Sequence, residues 1–167
     1  DEVTKRFALI LLANLVKNKP EARQGIWDKI KDTEALKAIV DAIKDGDEVT
    51  KSYAWGLLAN LVKNNYEARQ GIWKEIREDP GVWPAIVDAI KDGDEATKTL
   101  ALVLLQNLTE NPNAKPVILA HIQNNLDASK AIVDAVKSDN EGIIRVALIL
   151  LANLAADPTE RPVIFAQ

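Results

Sequence analysis

Apolar residues recur along the chain at the spacing of an amphipathic helix, and one leucine-rich run returns four times. It reads LLANLVKN at 11–18 and at 57–64, weakens to LLQNLTEN at 104–111, and returns as LLANLAAD at 150–157. Such spacing places the apolar side chains on one side of a helix, so each run predicts a helix packed against neighbours. No stretch alternates at period two for long enough to predict a strand. The pattern therefore predicts an all-α fold.

The four runs belong to a longer repeat with a period of 46 or 47 residues. The repeats cover residues 1–46, 47–93, 94–139 and, in part, 140–167, and the first two share roughly two-thirds of their residues. A period in the forties is typical of helical solenoids, in which one repeat buries its apolar faces only by stacking on another. The prediction is a single domain over 1–167 with about three and a half repeats.

Each complete repeat is predicted to hold three helices. Gly46 and Gly93 are expected to end a helix in the left-handed conformation, and Asp47, Asp94 and Asn140 to cap the helix that follows. The first helix of a repeat runs for about 17 residues through the leucine-rich run, the second carries EARQGIWDKI, and the third carries KAIVDAIKD.

Positions that keep one residue type in every repeat are predicted to form the core. Counted from the recurring Asn, the position six before it is always Ala, and the positions two and three before it are always Leu. The second helix carries a bulky apolar residue at one place, namely Trp27, Trp73, Leu119 and Phe165. The third helix carries an apolar stripe of Ile39, Val40 and Ile43.

An asparagine stands at one fixed place in each leucine-rich run, although Asn is a mediocre helix former. The sequences ALILLANL at 8–15 and ALVLLQNL at 101–108 resemble the ALxxLxNL ending of the third helix of armadillo repeats, and HEAT repeats are the near alternative. The third helix in the armadillo order corresponds to the leucine-rich helix, which comes first in the repeats as numbered above. The resemblance extends over essentially the whole chain. It implies a right-handed α-α superhelix in which the leucine-rich helices line a concave groove.

The resemblance also implies a role for the recurring Asn. In armadillo proteins that bind extended peptides, this side chain faces the groove and bonds the peptide backbone, and a carboxamide suits the task because it both donates and accepts. The candidate ladder is Asn14, Asn60, Asn107 and Asn153. Import receptors of the family place Trp four residues before this Asn, whereas this chain holds Ile10, Gly56, Val103 and Ile149. Basic nuclear-localisation peptides are therefore not the expected ligand.

Other positions on the same helix face complete the candidate groove. Eight residues before the Asn stand Arg6, Ser52, Thr99 and Arg145, and three after it stand Lys17 and Lys63 in the first two repeats. The residues at these positions vary in size and charge. Such variation is expected of a recognition surface, and it is expected equally of any solvent-exposed face. Basic groups outnumber acidic ones there, which favours an extended peptide that mixes acidic and apolar residues.

Tyr53, Trp55 and Gly56 allow two interpretations within this groove. A glycine beside two large aromatic side chains could open a notch for a ligand side chain. Alternatively, Gly56 makes room for Trp55 to pack in the core.

Composition excludes several classes of function. A net charge of −4 and a pI near 5.1 argue against nucleic acid as a partner. The longest apolar runs are about ten or eleven residues, below the roughly 20 that span a bilayer, so no membrane association is expected. With no cysteine, one histidine and no phosphate-loop or metal motif, neither a cofactor nor an enzyme is expected. Asp41, Asp88 and Asp134 recur on the third helices and are interpreted as a solvated face.

Two alternatives to the peptide-binding scaffold remain. Repeats one and two share long identical segments and the chain has neither Cys nor Met, which favours an engineered repeat protein without native activity. The irregular third repeat and the partial fourth favour a natural array, which would be cytoplasmic. Solenoids normally need polar capping repeats, and this chain opens on a leucine-rich helix, so a homo-oligomer formed through apolar end faces is also considered.

Overall fold

A computed structural model describes residues 1–156, which fold into ten α-helices without a strand among them. The helices are α1 (Glu2–Asn18), α2 (Ala22–Ile30), α3 (Glu34–Asp45), α4 (Glu48–Leu61), α5 (Tyr66–Glu78), α6 (Val82–Asp92), α7 (Glu95–Leu108), α8 (Lys115–Asn124), α9 (Leu126–Val136) and α10 (Glu141–Ala155). The all-α prediction is confirmed for these residues. Phe165, predicted as a core position, lies outside the described residues. The helix order fits a solenoid, and the right-handed superhelix stays a prediction.

The predicted caps of the leucine-rich helices α4, α7 and α10 are confirmed. Asp47 and Asp94 each accept a hydrogen bond from the backbone N–H three residues later, at 2.8 and 2.7 Å. Asn140 accepts from Gly142 N–H at 2.9 Å and from Ile143 N–H at 3.2 Å. These side chains satisfy backbone donors that the first turn of a helix leaves without intrahelical partners.

The cap at Asp94 predicts a pH-dependent stability. The N–H of Thr97 lowers the pKa of the Asp94 carboxyl because it bonds the ionised form. This stabilisation is present above the ordinary Asp pKa of about 4 and is lost as pH falls through the lowered pKa of the folded state. At pH 7 we expect Asp94→Ala to lower the free energy of unfolding by about 0.5–2 kcal/mol.

Urea unfolding between pH 7 and pH 2 measures this effect. The difference in the free energy of unfolding between the wild type and Asp94→Ala should become smaller in acid, because a protonated Asp94 is a weaker cap. Asp94→Asn is the control, since it keeps a capping acceptor without a titrating group. A difference that stays constant across this range would contradict the assignment.

The prediction for Gly46 and Gly93 is wrong, because no glycine among residues 1–156 has a positive φ. Gly46 follows α3 in an extended conformation, with φ −68° and ψ 158°. A Cβ there would lie 2.6 Å from the carbonyl oxygen of Ala42 and 2.9 Å from Cγ2 of Thr50. Glycine is required at this junction by the close approach of two helix ends.

The left-handed conformation occurs instead at Asn64, whose φ is 56°. It follows α4, which ends at Leu61 after 14 residues, three residues short of α1. The predicted length of about 17 residues is thus correct for α1 alone. Asn is tolerated in the left-handed region, and the next residue, Asn65, caps α5 through Ala68 N–H at 3.0 Å.

The helices cluster into two compact units, Asp1–Ile86 and Val87–Gln167, with the division inside α6. In the N-terminal unit, α1 lies along α4, α3 packs on α4 and α5, and α2 contacts both α1 and α4. In the C-terminal unit, α7 lies along α10, and α9 packs on α8 and α10. Each unit thus contains one pair of adjacent leucine-rich helices. The single-domain assignment stays a prediction.

The predicted core is confirmed in α4, α7 and α10 for the Ala and for the first of the two Leu that precede the Asn. The Leu three before the Asn is fully buried as Leu57, Leu104 and Leu150, and the Ala six before it as Ala54, Ala101 and Ala147. Trp27, Trp73, Leu119 and the stripe Ile39, Val40 and Ile43 are buried as well.

The core prediction is wrong at two positions of α1. Leu11 is 68% exposed and Ala8 is also exposed. Within the N-terminal unit, α1 covers the equivalent residues of α4, whereas no described helix covers this side of α1.

Candidate peptide-binding face

The candidate residues of the N-terminal unit lie on two adjacent helices. Asn14, Lys17 and Lys63 are exposed. The other candidates on α1 and α4 are half-buried, namely Arg6, Ile10, Ser52, Tyr53, Gly56 and Asn60. Because α1 lies along α4, the repeat-equivalent positions of the two helices stand side by side. We call these residues the N-terminal candidate face.

The C-terminal unit places its candidates on α7 and α10 in the same way. Thr99, Val103 and Asn153 are half-buried, Arg145 and Ile149 are exposed, and Asn107 is buried with 7% of its surface accessible. Asn107 therefore offers a ligand less contact area than its equivalents do.

Asn60 is held by contacts within the chain. Its amide Nδ2 donates to the carbonyl of Gly56 at 2.8 Å, and its Oδ1 accepts from Nη2 of Arg23 at 3.4 Å. Arg23 also donates from Nε to the carbonyl of Val16, near the end of α1, at 3.1 Å. Asn60 thus joins α4 to α1 through one arginine, and the second N–H of its amide remains for another acceptor.

Asn107 and Asn153 are also engaged. Nδ2 of Asn107 donates to the carbonyl of Val103 at 2.8 Å, one turn earlier in the same helix. Nδ2 of Asn153 reaches from α10 to α7, where it donates to Oγ1 of Thr109 at 3.1 Å and to the carbonyl of Gln106 at 3.4 Å. Asn153 thereby bonds a carbonyl in the last turn of α7, where backbone acceptors lack intrahelical partners, whereas Asn107, like Asn60, bonds the carbonyl of the preceding turn of its own helix. These bonds give the Asn of α4, α7 and α10 a structural role.

Two arginines near the face were not among the predicted site residues. Arg23 donates to the carbonyl of Val16, and Arg69 donates from Nη1 to the carbonyl of Val62 at 3.2 Å. Both belong to the EARQGIW sequence shared by repeats one and two. This shared sequence could have marked the two arginines as candidates. The sequence alone does not show, however, that the second helix of a repeat packs against the C-terminal end of the first.

Ion pairing reduces the basic surplus of the candidate face. Nη1 of Arg6 lies 3.1 Å from a carboxylate oxygen of Asp47, the cap of α4. The bond from Thr50, rather than this ion pair, is the main cause of the lowered pKa of Asp47. Lys17 and Lys63 are the exposed cations of the N-terminal candidate face, and they occupy the same position in successive repeats.

The carboxylate of Asp41 belongs to an ion-pair network. It lies 2.8 Å from Nζ of Lys37 and 3.1 Å from Nζ of Lys44, and Lys44 also pairs closely with Asp79. The bond from Lys37 is the main cause of the lowered pKa of Asp41. Across residues 1–156, no group of three or more His, Cys, Asp or Glu side chains could hold a metal ion.

His121 lies in α8 and is half-buried. Burial lowers the pKa of its imidazole, because desolvation disfavours the charged form. Its imidazole is therefore protonated less readily than an ordinary histidine.

No helix in the described part of the chain is long and apolar enough to cross a membrane. No protein-family model matches the sequence, and no curated protein matches it. Among solved structures, the chain is similar to an engineered protein whose crystal structure comes from the Northeast Structural Genomics Consortium. The two share 21% sequence identity with a TM-score of 0.69, over 93% of this chain and 57% of the other. The chain thus spans little more than half of that protein, and the likeness concerns the fold alone.

Proposed function

We propose that this chain is a non-enzymatic scaffold that binds an extended peptide along its leucine-rich helices. The observation that carries the proposal is the repeated surface of α1 and α4. Lys17 and Lys63 are exposed at the same repeat position, next to an exposed Asn14 and a half-buried Asn60. A second copy of one set of side chains on an adjacent helix suits a ligand that is itself periodic, such as an extended backbone.

The chemistry of this surface favours a peptide with acidic and apolar residues. The two lysines attract carboxylates, and the half-buried Ile10 and Tyr53 offer apolar contacts to a ligand side chain. Asn14 has a carboxamide in solvent, and Asn60 keeps one amide N–H beyond its bond to Gly56. Each can donate to a carbonyl of the peptide backbone, which gives affinity without dependence on sequence.

A peptide-library selection tests the proposal, followed by affinity measurements on the enriched peptides. We expect Asn14→Ala with Asn60→Ala to weaken binding about tenfold or more, because each hydrogen bond contributes about 1 kcal/mol net. The double variant Lys17→Ser with Lys63→Ser should lower the affinity for acidic peptides by about twofold to fivefold for each charge removed, and added salt should make this loss smaller.

The matched control is Lys29→Ser with Lys74→Ser. These lysines are exposed on α2 and α5, outside the candidate face, so the control should bind as the wild type does. The proposal is wrong if the library yields no enriched peptide, or if the double Asn variant binds every enriched peptide unchanged.

A second candidate is an engineered repeat protein that has no native ligand. The long identical segments of repeats one and two and the absence of Cys and Met favour it, as does the likeness to an engineered protein. The same selection separates the candidates, because such a protein should enrich no peptide that depends on Asn14 and Asn60.

A further inference from the structure

One side of α1 presents an uncovered row of large apolar side chains. Val3, Phe7 and Leu11 are 63%, 67% and 68% exposed, and their four-residue spacing places them on one side of the helix. We call this row the α1 face. At the equivalent positions of α4, Tyr53 is half-buried and Leu57 is fully buried. The difference arises because α1 itself lies along α4.

Among residues 1–156, α10 also has one exposed apolar side. Leu148 is 49% exposed and Ala152 is exposed, and we call these two residues the α10 face. Their equivalents in α1 are Leu9 and Ala13, which are 7% and 6% exposed on the side that meets α4. The α10 face therefore has the chemistry of the surface that α1 uses against α4.

Charge complementarity supports the same pairing. Where α1 meets α4, Arg6 pairs with Asp47 at 3.1 Å. Arg145 takes the position of Arg6 on α10, and Asp1 takes the position of Asp47 before α1. Both Arg145 and Asp1 are exposed.

We propose that α10 of one copy packs against α1 of a second copy in the register in which α1 packs on α4. Leu148 and Ala152 then cover Phe7 and Leu11 of the second copy, and Arg145 pairs with Asp1 of the second copy. Such a contact joins two different surfaces, so it continues from copy to copy as a ring or an open chain. Apart from Arg145, it uses other side chains than the candidate peptide face, so a failed peptide selection leaves it standing.

Sedimentation velocity over about 1–500 μM tests this contact. A single helix pair buries less than the roughly 800 Å² per partner of a standard interface, so we expect weak association with a mass that rises with concentration. Leu11→Glu blocks the α1 face and Leu148→Glu blocks the α10 face. Each variant alone should be monomeric, because each lacks one of the two surfaces.

Mixing the two variants gives the decisive result. Leu11→Glu keeps an intact α10 face and Leu148→Glu keeps an intact α1 face, so an equimolar mixture should form a heterodimer and nothing larger. Leu126→Glu is the control, since Leu126 is 83% exposed on α9 and outside both faces, and it should associate as the wild type does. Circular dichroism checks that each variant keeps its helices.

Three results would overturn the proposal. The wild type could remain monomeric throughout the concentration range. Leu148→Glu could still associate, which would indicate a symmetric contact between two α1 faces. The mixture could fail to pair although both variants keep their helices.

Discussion

Leu57→Ala is expected to lower the free energy of unfolding by about 2–5 kcal/mol, whereas Leu11→Ala lowers it by less than about 1 kcal/mol. The two residues occupy the same position in an identical LLANLVKN sequence. Leu57 is fully buried, and Leu11 is 68% exposed. Truncation of Leu57 removes apolar contacts and leaves a cavity between helices that collapse only in part. At Leu11 the lost atoms already face water.

Urea unfolding followed by far-UV circular dichroism measures both changes on one chain. Leu104→Ala provides a second buried example, because Leu104 holds this position on α7 and is also fully buried. Equal losses at Leu11 and Leu57 would contradict the packing described for α1 and α4. Because the helix propensity changes equally at both positions, it cancels in the comparison.

Gly71→Ala is expected to destabilise the chain by about 1–3 kcal/mol, whereas Gly25→Ala stabilises it by about 0.5–1 kcal/mol. Both glycines lie within helices, in the shared sequence EARQGIW. A Cβ at Gly71 would stand 2.4 Å from Cη2 and 2.6 Å from Cζ2 of Trp27, while a Cβ at Gly25 meets nothing within 4 Å. The Trp27 side chain is 2% exposed, so little room exists for its ring to move.

Thermal unfolding of the two variants should show shifts of opposite sign. A double-mutant cycle with Trp27→Leu identifies the cause, because the smaller side chain relieves the clash and the cost of Gly71→Ala should fall in that background. An unchanged cost would indicate that Trp27 is not the obstacle. Gly25→Ala should stabilise the chain by the same amount whether residue 27 is Trp or Leu.

Sequence and structure agree best on features fixed by neighbouring residues. The caps at Asp47, Asp94 and Asn140 depend on groups within three residues, and helical periodicity marked the apolar stripe of α3. The error at Gly46 shows the limit of this reasoning. Glycine there relieves a clash with Ala42 and with Thr50 of the next helix, a contact that local propensity does not reveal.

The candidate site was predictable only as a set of positions. Periodicity placed Asn14, Asn60, Asn107 and Asn153 at one place in every repeat, but it could not indicate how each amide is used. Asn60 bonds Arg23 and Asn153 bonds Thr109, and both partners come from distant parts of the sequence. The burial of Asn107 likewise depends on the helices around it.

The sequence by itself determined the helical elements, the N-terminal caps at Asp47, Asp94 and Asn140 and the apolar stripe of α3, because these follow from the spacing and chemistry of nearby residues. Only the tertiary structure decided which copy of a repeated residue is buried. Leu11 and Leu57, like Gly25 and Gly71, stand in identical local sequences and differ only in what packs against them. A residue's contribution to stability follows the neighbours that exclude water from it, and equivalent residues of two repeats receive different neighbours according to the place of each repeat in the chain.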